Sequence, residues 1–401
     1  MDLHALVRKL RWSYTKNRPE FLALTRRLYP EFVFAYRPRE IADEIPVFNF
    51  HDVTSEDFEE KIKYLHGNGY QCLDSHSLWK CLTSAQKIHP KSVVLTFDDG
   101  WLSLHTVAAP LLRKYQMNAV CFLIPGLMSQ SREIPPAYPG AECLLTWEEA
   151  RLDRDVIDFQ SHSMWHHRVF ISPKLVDFIH PGYDSYYLRF HVPVYRNQGR
   201  DTVERIAALG TPVYEYAPRL TGRLRYFDDE AVREACAAYV KENGQEAFFT
   251  NPAWRRKLRR IFDDASLHSS TEKKYESADE TRESILADLR ESRSMIEREL
   301  PGVEVRSFCY PWFVGCDLSV TLSQKAGYTS NHWGVLSGRR TNRDGYDPFR
   351  IVRMPPDYIM RLPGKGRWTF IGVLKNMFFR NAHRFMRDAK AAAAPEDYIN
   401  K

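Results

Sequence analysis

The sequence predicts an α/β fold, a parallel sheet or barrel flanked by helices, on three observations. Short apolar or β-branched runs alternate with stretches of helical periodicity from about residue 45 to 170. The runs end in carboxylates and imidazoles, as strands do in folds whose chemistry gathers where strands pass into loops. The alternation returns after residue 280, beyond a stretch that breaks it.

Residues 1–44 read as a basic helical extension, with Leu3, Leu6 and Leu10 spaced for one face. IPVFNFHDV (45–53) reads as a short strand that reaches a histidine, His51. A helix starts at Ser55, with Phe58, Ile62 and Leu65 on one stripe, and ends at Gly67/Gly69. Strands follow at Val93–Phe97, Ala119–Ile124 and Val156–Gln160, with a helix over Thr106–Tyr115 between the first two. Residues 171–280 lose the rhythm. Ten aromatics fall between Phe178 and Phe227, and a basic run covers Trp254–Arg260, so this segment reads as a mostly helical insertion, a cap or lid. Ile285, Leu289, Ile296 and Leu300 then mark a helix face, and a strand is expected over Glu304–Tyr310. In the tail, Phe370, Leu374, Met377 and Phe378 share a face beside Lys375 and Arg380, an amphipathic basic helix that packs on the domain or lies on a membrane.

Composition narrows the function classes. At 401 residues, 44% hydrophobic and 27% charged, the chain suits one large globular domain with additions rather than a disordered segment. No run of eighteen apolar residues exists to span a membrane. The basic N-terminus lacks the apolar run of a secretory signal, and seven scattered cysteines without a CxxC pair suggest free thiols. Both features lead to the expectation of a cytoplasmic protein. The net charge of +6 is concentrated at the ends: residues 1–40 carry nine Lys/Arg against four Asp/Glu, and residues 361–390 eight against one. Such ends suit an anionic surface, so peripheral contact with the inner membrane is expected. Nucleic acid is not, because no zinc knuckle, RNP-like strand or helix-turn-helix signature accompanies the charge.

Two motifs carry chemistry. Thr96-Phe97-Asp98-Asp99-Gly100 runs a strand into two adjacent carboxylates, which repel at close range unless a cation takes one. The bland alternative is an Asp-Gly turn. Ser161-His162-Ser163-Met164-Trp165-His166-His167 follows another strand. One helical turn would place His162 and His166 together, and two imidazoles with a carboxylate make an open site suited to zinc. Alone, such a pair also describes two surface histidines. Together, the motifs converge on one barrel mouth.

These motifs, with Ser307-Phe308-Cys309-Tyr310-Pro311-Trp312, resemble the polysaccharide deacetylases of carbohydrate esterase family 4, the NodB-homology domain. Residues 46–53, 58–70, 118–126, 325–328 and 342–353 are similar to the family's framework. The resemblance implies a distorted (β/α) barrel formed by residues 45–170 and 281–363, with 1–44, 171–280 and 364–401 outside it. It implies a metal-dependent hydrolase that removes an N-acetyl or N-formyl group from an amino sugar, in a glycan or in a lipid- or nucleotide-linked precursor. Asp99, His162 and His166 match the metal ligands, for zinc first and cobalt or nickel as alternatives. Asp98 matches the base that takes a proton from the attacking water, and the backbone N–H of Trp312 matches an oxyanion donor. The late Leu-x-His segment that supplies the acid in many members has no counterpart here. Phe50-His51 is similar to an early Tyr-His motif of members with rearranged strand order, so His51 is the candidate acid and His332 the reserve. Cys309 stands where many members have an arginine that holds the base. Arg350 is taken as its replacement, with Arg353 the other possibility. Phe313 replaces a usual glycine. The rival readings are an inactive carbohydrate-binding protein on the same fold and a membrane-surface scaffold.

Overall fold

Strand β1 (Val47–Phe50) lies parallel to β3 (Ser92–Asp99), which is followed across the sheet by β4 (Ala119–Leu123) and β5 (Ile157–Ser161). This computed structural model describes residues 20–41, 43–84, 89–134, 141–181, 183, 195–197, 200, 201, 208–268, 274–343 and 345–377. The two-residue strand β2 (Gln71–Cys72) pairs with the start of β3. Residues 307–309 and 330–332 add two more parallel strands beyond β5. The sheet then closes: residue 351 bridges His332 and residue 354 bridges Phe48, both in parallel register. A parallel barrel results, with all its strand ends of one sense at one mouth.

Alternation along each strand divides the core in two. Leu95 and Phe97 of β3, Cys121 and Leu123 of β4 and Phe159 of β5 face the outer helices, where they meet Phe58, Ile62, Leu112, Ile285, Leu289 and Ile296. The alternate set, Val94, Val120, Phe122, Cys309 and Ile351, faces the barrel axis, and Leu78 and Leu82 of helix Ser75–Thr83 pack against it. The helix after β1, α1 (Ser55–Gly67), starts on Thr54, whose hydroxyl accepts the Asp57 amide. The long helix α2 (Ala278–Glu299) begins on a Ser277/Glu280 capping box. The helix expected over Thr106–Tyr115 divides into a π-turn at Leu104–Ala108 and an α-segment at Ala109–Lys114. Pro110 sits at the join, where its missing N–H costs the ladder least.

The insertion differs from its expected form. It opens at Arg168 rather than at 171, directly after His167, and its base is an antiparallel ribbon of Arg168–Phe178 with Pro212–Pro218. Helices Glu230–Glu242 and Trp254–Leu267 pack on that ribbon, so among the described residues the segment adds an antiparallel ribbon to the helices expected there. Its aromatics and β-branched residues fill a core of its own, which includes Phe170, Tyr214, Val232, Leu258 and Phe262. Val169, Val213 and Tyr214 favour the pleated surface that helical periodicity does not register. At the termini, Leu3, Leu6, Leu10 and Phe378 lie outside the described residues. No described helix is long and apolar enough to cross a membrane.

Candidate active site

Asp98 and Asp99 are neighbours that the strand end sends into different surroundings. Asp98 continues the axis-facing parity of Val94 and Thr96, whereas Asp99 leaves the strand at φ +71° and turns its carboxylate back to the mouth. Gly100 follows at φ +77°, a conformation open to glycine at little cost. Of the eight described non-glycine residues with positive φ, five lie here: Asp99, Ser163, His166, Trp312 and Phe313. Backbone held in such rare regions marks places where the surroundings fix geometry for function.

Asp99 is the centre of the first group. Its Oδ1 lies 3.4 Å from His162 Nε2 and 3.7 Å from His166 Nε2. That oxygen is buried and accepts no hydrogen bond from the described residues, while Oδ2 accepts the Trp101 indole N–H at 3.1 Å. His162 Nδ1 lies 2.9 Å from the Cys309 carbonyl. A carbonyl only accepts, so Nδ1 carries the proton and Nε2 turns its lone pair to Asp99, the outer-shell arrangement that orients ligating histidines. Burial lowers the His162 pKa against the pull of the two carboxylates, which keeps the ring neutral. His166 is seated by its amide on Ser163 Oγ at 3.0 Å and by the Trp312 ring 4.0 Å from its own. Three buried donors, one of them an orphaned carboxylate oxygen, fit a divalent cation.

Asp98 has a different partner. Arg353 donates from Nη1 to Oδ1 at 2.7 Å and from Nη2 to Oδ2 at 2.9 Å, both side chains being fully buried. The same guanidinium donates to the Trp333 carbonyl, Thr96 Oγ1 and Cys309 Sγ. Burial would raise the Asp98 carboxyl, but the charge and hydrogen bonds of Arg353 outweigh it and hold the pKa well below the usual carboxylate range. Arg350, the expected partner, is elsewhere: it is half-buried and pairs with Asp317 at 2.7 Å and Asp347 at 3.5 Å. Residues 351–354 form the closing strand, and its alternation sends Ile351 and Arg353 to the axis while Arg350 precedes it on the outside.

The remaining candidates separate by exposure. His51 Nε2 stands 3.9 Å from Asp98 Oδ2 with a half-open side chain, and its ring meets Phe313 edge-on at 6.5 Å. His332 is fully buried on the axis, 4.8 Å from the Phe122 ring, and its ring nitrogens have no protein partner among the described residues. Burial drives its pKa down. His51 can therefore meet a ligand at the mouth, and His332 cannot.

Three supports escaped sequence reading. Gly126 lies so close to the histidine loop that a Cβ would stand 2.4 Å from the Trp165 ring. Asp288 of α2 accepts the Met164 amide at 3.1 Å from beneath that loop. Arg168, the first residue of the insertion, stacks over the Trp312 ring at 4.4 Å and the Tyr216 ring at 5.2 Å, joining the insertion to the mouth.

Residues 85–180 match the polysaccharide deacetylase family model. YxkH of Bacillus subtilis, named for polysaccharide deacetylase, is 32% identical over 117 residues, 27% of this chain and 42% of that protein. The poly-β-1,6-N-acetyl-D-glucosamine N-deacetylase of Escherichia coli is 29% identical over 119 residues, 29% of this chain and 18% of that protein. The matched region thus spans less than half the length of either relative. Among solved structures, a de-N-acetylase from Aggregatibacter actinomycetemcomitans aligns at 16% identity and a TM-score of 0.49, covering 78% of this chain and 94% of that one. The BpsB deacetylase domain of Bordetella bronchiseptica aligns at 17% and 0.47, covering 79% and 97%. The segment 85–180 is thus similar to the polysaccharide deacetylases, and its two motifs stand in order at the mouth of a parallel barrel.

Proposed function

We propose that the protein is a metal-dependent hydrolase that removes an N-acetyl group, or less favourably an N-formyl group, from an amino sugar. The observation that carries this reading is the orphaned Asp99 Oδ1, buried between two imidazole nitrogens and beside a carboxylate already neutralised by arginine. Asp99, His162 and His166 would hold the cation, zinc in the first place. When bound there, a divalent cation acidifies water and polarises a carbonyl.

The chain's own residues supply the rest. Asp98, kept ionised by Arg353, orients the attacking water and takes its proton. Being a weak base so paired, it serves better by position than by basicity. The Trp312 N–H receives the amide oxygen as charge develops on it. His51, open to the mouth, serves as the acid that gives a proton to the leaving amine, and the products are a carboxylate and a free sugar amine. The buried core under Asp98 and Asp99 excludes bulk water from both carboxylates. Substrate class follows from the relatives: the name of the Escherichia coli enzyme makes a β-1,6-linked N-acetylglucosamine oligomer the first compound to try.

The test pairs metal content with product. About one divalent ion per chain is expected in the parent, with a drop of at least about tenfold in metal affinity for both His162→Ala and Asp99→Ala. Acetate release from the oligomer should fall with the metal. A parent that stays metal-free after loading with zinc, cobalt and nickel would end the hydrolase reading and favour a carbohydrate-binding barrel.

A further inference from the structure

The two ends of the described chain, more than three hundred residues apart, meet on one end of the barrel. The short helix Glu31–Phe34 and the helical residues 370–377 join through the rings of Phe34 and Phe370, 5.7 Å apart. Arg361 and Arg367 fasten the seam by donating to the carbonyls of Phe32, Val33, Ala35 and Tyr36. This assembly sits opposite the active-site mouth. Glu31 pairs with Arg340 at 3.6 Å, and two residues on the Asn342 carbonyl accepts the Ile45 amide, just before β1 begins. At the other side the Lys365 amide donates to Asn68, at the end of α1, whose first turn lies at the mouth.

The outer surface of this end is both apolar and cationic. Tyr36 is 94% exposed and Phe21 and Ile371 are each 65% exposed, which places three of the five most exposed large apolar side chains among the described residues in these segments. Arg26, Arg27, Arg37, Arg39, Lys365 and Lys375 are exposed among them. Within residues 20–39 and 364–377 the one exposed acid is Glu31, already paired with Arg340, and Glu40 and Asp43 follow where the chain turns towards β1. The sequence beyond keeps this character: residues 1–19 carry five Lys/Arg against one acid, and Phe378, Phe379 and Phe385 alternate with Arg380, Arg384 and Arg387.

We propose that this end of the barrel docks on an anionic lipid bilayer. Tyr36, Phe21 and Ile371 enter the headgroup boundary while the arginines and lysines face lipid phosphates. Apolar side chains ringed by unneutralised cations match that surface, whereas an acidic protein or a polynucleotide would leave the apolar group without a partner. The docking itself needs no catalysis. Joined to the hydrolase reading above, it turns the mouth away from the bilayer, so the saccharide comes from the aqueous side and not from a headgroup beneath the protein.

The test is co-sedimentation of the full chain with vesicles of phosphatidylcholine, with or without one-third phosphatidylglycerol. Binding is expected to the mixed vesicles, with a partition coefficient at least about tenfold lower for phosphatidylcholine alone or in 0.5 M salt. Tyr36→Ser with Ile371→Ser should weaken partitioning about tenfold, and Arg37→Glu with Lys365→Glu and Lys375→Glu more than that. Metal content and acetate release from a soluble oligomer should stay at parental levels in these variants, which separates loss of docking from loss of fold or of the active site. Absence of binding, equal binding to neutral vesicles, or binding that survives all these substitutions overturns the proposal. Retention on heparin without vesicle binding does so too, and would point to a soluble polyanion.

Discussion

The mouth of the barrel and the insertion that grows out of it are held together by opposite means. At the mouth, charged groups are buried, five residues adopt positive φ, and a fully buried arginine grips one carboxylate with two hydrogen bonds. The insertion, beginning one residue after the histidine motif, is held by an aromatic and aliphatic core of ordinary conformation, with its buried ion pair Arg219–Glu276 at its root. Geometry at the mouth is thus imposed by groups that destabilise the fold when any partner is missing. The insertion rests on area removed from water, which degrades gradually. The difference teaches where precision is being maintained: an apolar core tolerates repacking, whereas the Asp98–Arg353 pair tolerates no loss.

The largest effect should come from breaking that pair. Arg353→Met leaves Asp98 charged and alone in the barrel axis, and about 3–5 kcal/mol of stability should be lost in urea unfolding. Activity should fall with it, because the carboxylate then raises its pKa and takes up a proton. Arg350→Met, three residues away, removes only a surface pair and should change stability by less than about 0.5 kcal/mol. Equal effects of the two would mean that the closing strand does not bring Arg353 to the axis.

Leu258→Ala sharpens the contrast from the other side. Leu258 is fully buried in the insertion core, and the cavity should cost about 3 kcal/mol. Because that core is separate from the one behind the sheet, the loss should appear as faster hydrogen exchange in helix Trp254–Leu267, with metal content unchanged. If the variant loses its metal as readily as it loses protection, insertion and mouth form one cooperative unit and the contrast drawn above is wrong.

What could be read from sequence follows the same division. The chemistry of the mouth is written in short contiguous motifs at strand ends, so Asp98, Asp99, His162 and His166 were legible before any coordinates. Even the turn that reverses Asp99 is announced by the glycine after it. Choosing between Arg350 and Arg353 needed the parity of a strand only four residues long, joined to its neighbours by single bridges, and periodicity does not reveal so short an element. Asp288 left a fainter trace, an acid three residues from Ile285 and one from Leu289 on a helix that carries many charged residues anyway. For the insertion, the aromatic content announced a core but not its ribbon, because cross-strand pairing over forty residues has no local signature.

Asp288 offers the smallest and most discriminating comparison. It supports the histidine loop from below by accepting the Met164 amide, yet burial pushes its carboxyl up to about 7 against the opposing pull of the loop amides and of Arg219. Its folded pKa lies above its unfolded value, near 3.9, so the folded state binds this proton more tightly and stability falls as pH rises from about 4 to about 7. Above that range the whole burial cost is present. Asp288→Asn keeps an oxygen for the Met164 amide and removes the charge, so at pH 8 it should be more stable than the parent by about 1–2 kcal/mol, after allowing for partial solvent contact. At pH 4, where both are neutral, the two should coincide. Unfolding curves collected from pH 4 to 8 decide the matter. A parent whose stability is flat over that interval, or a variant less stable than the parent at pH 8, would show that the loop needs the negative charge rather than merely a hydrogen-bond acceptor. The mouth would then be paying for its geometry with one more buried charge that has no close ionic partner, in contrast to the insertion, whose buried Arg219 and Glu276 pair with each other.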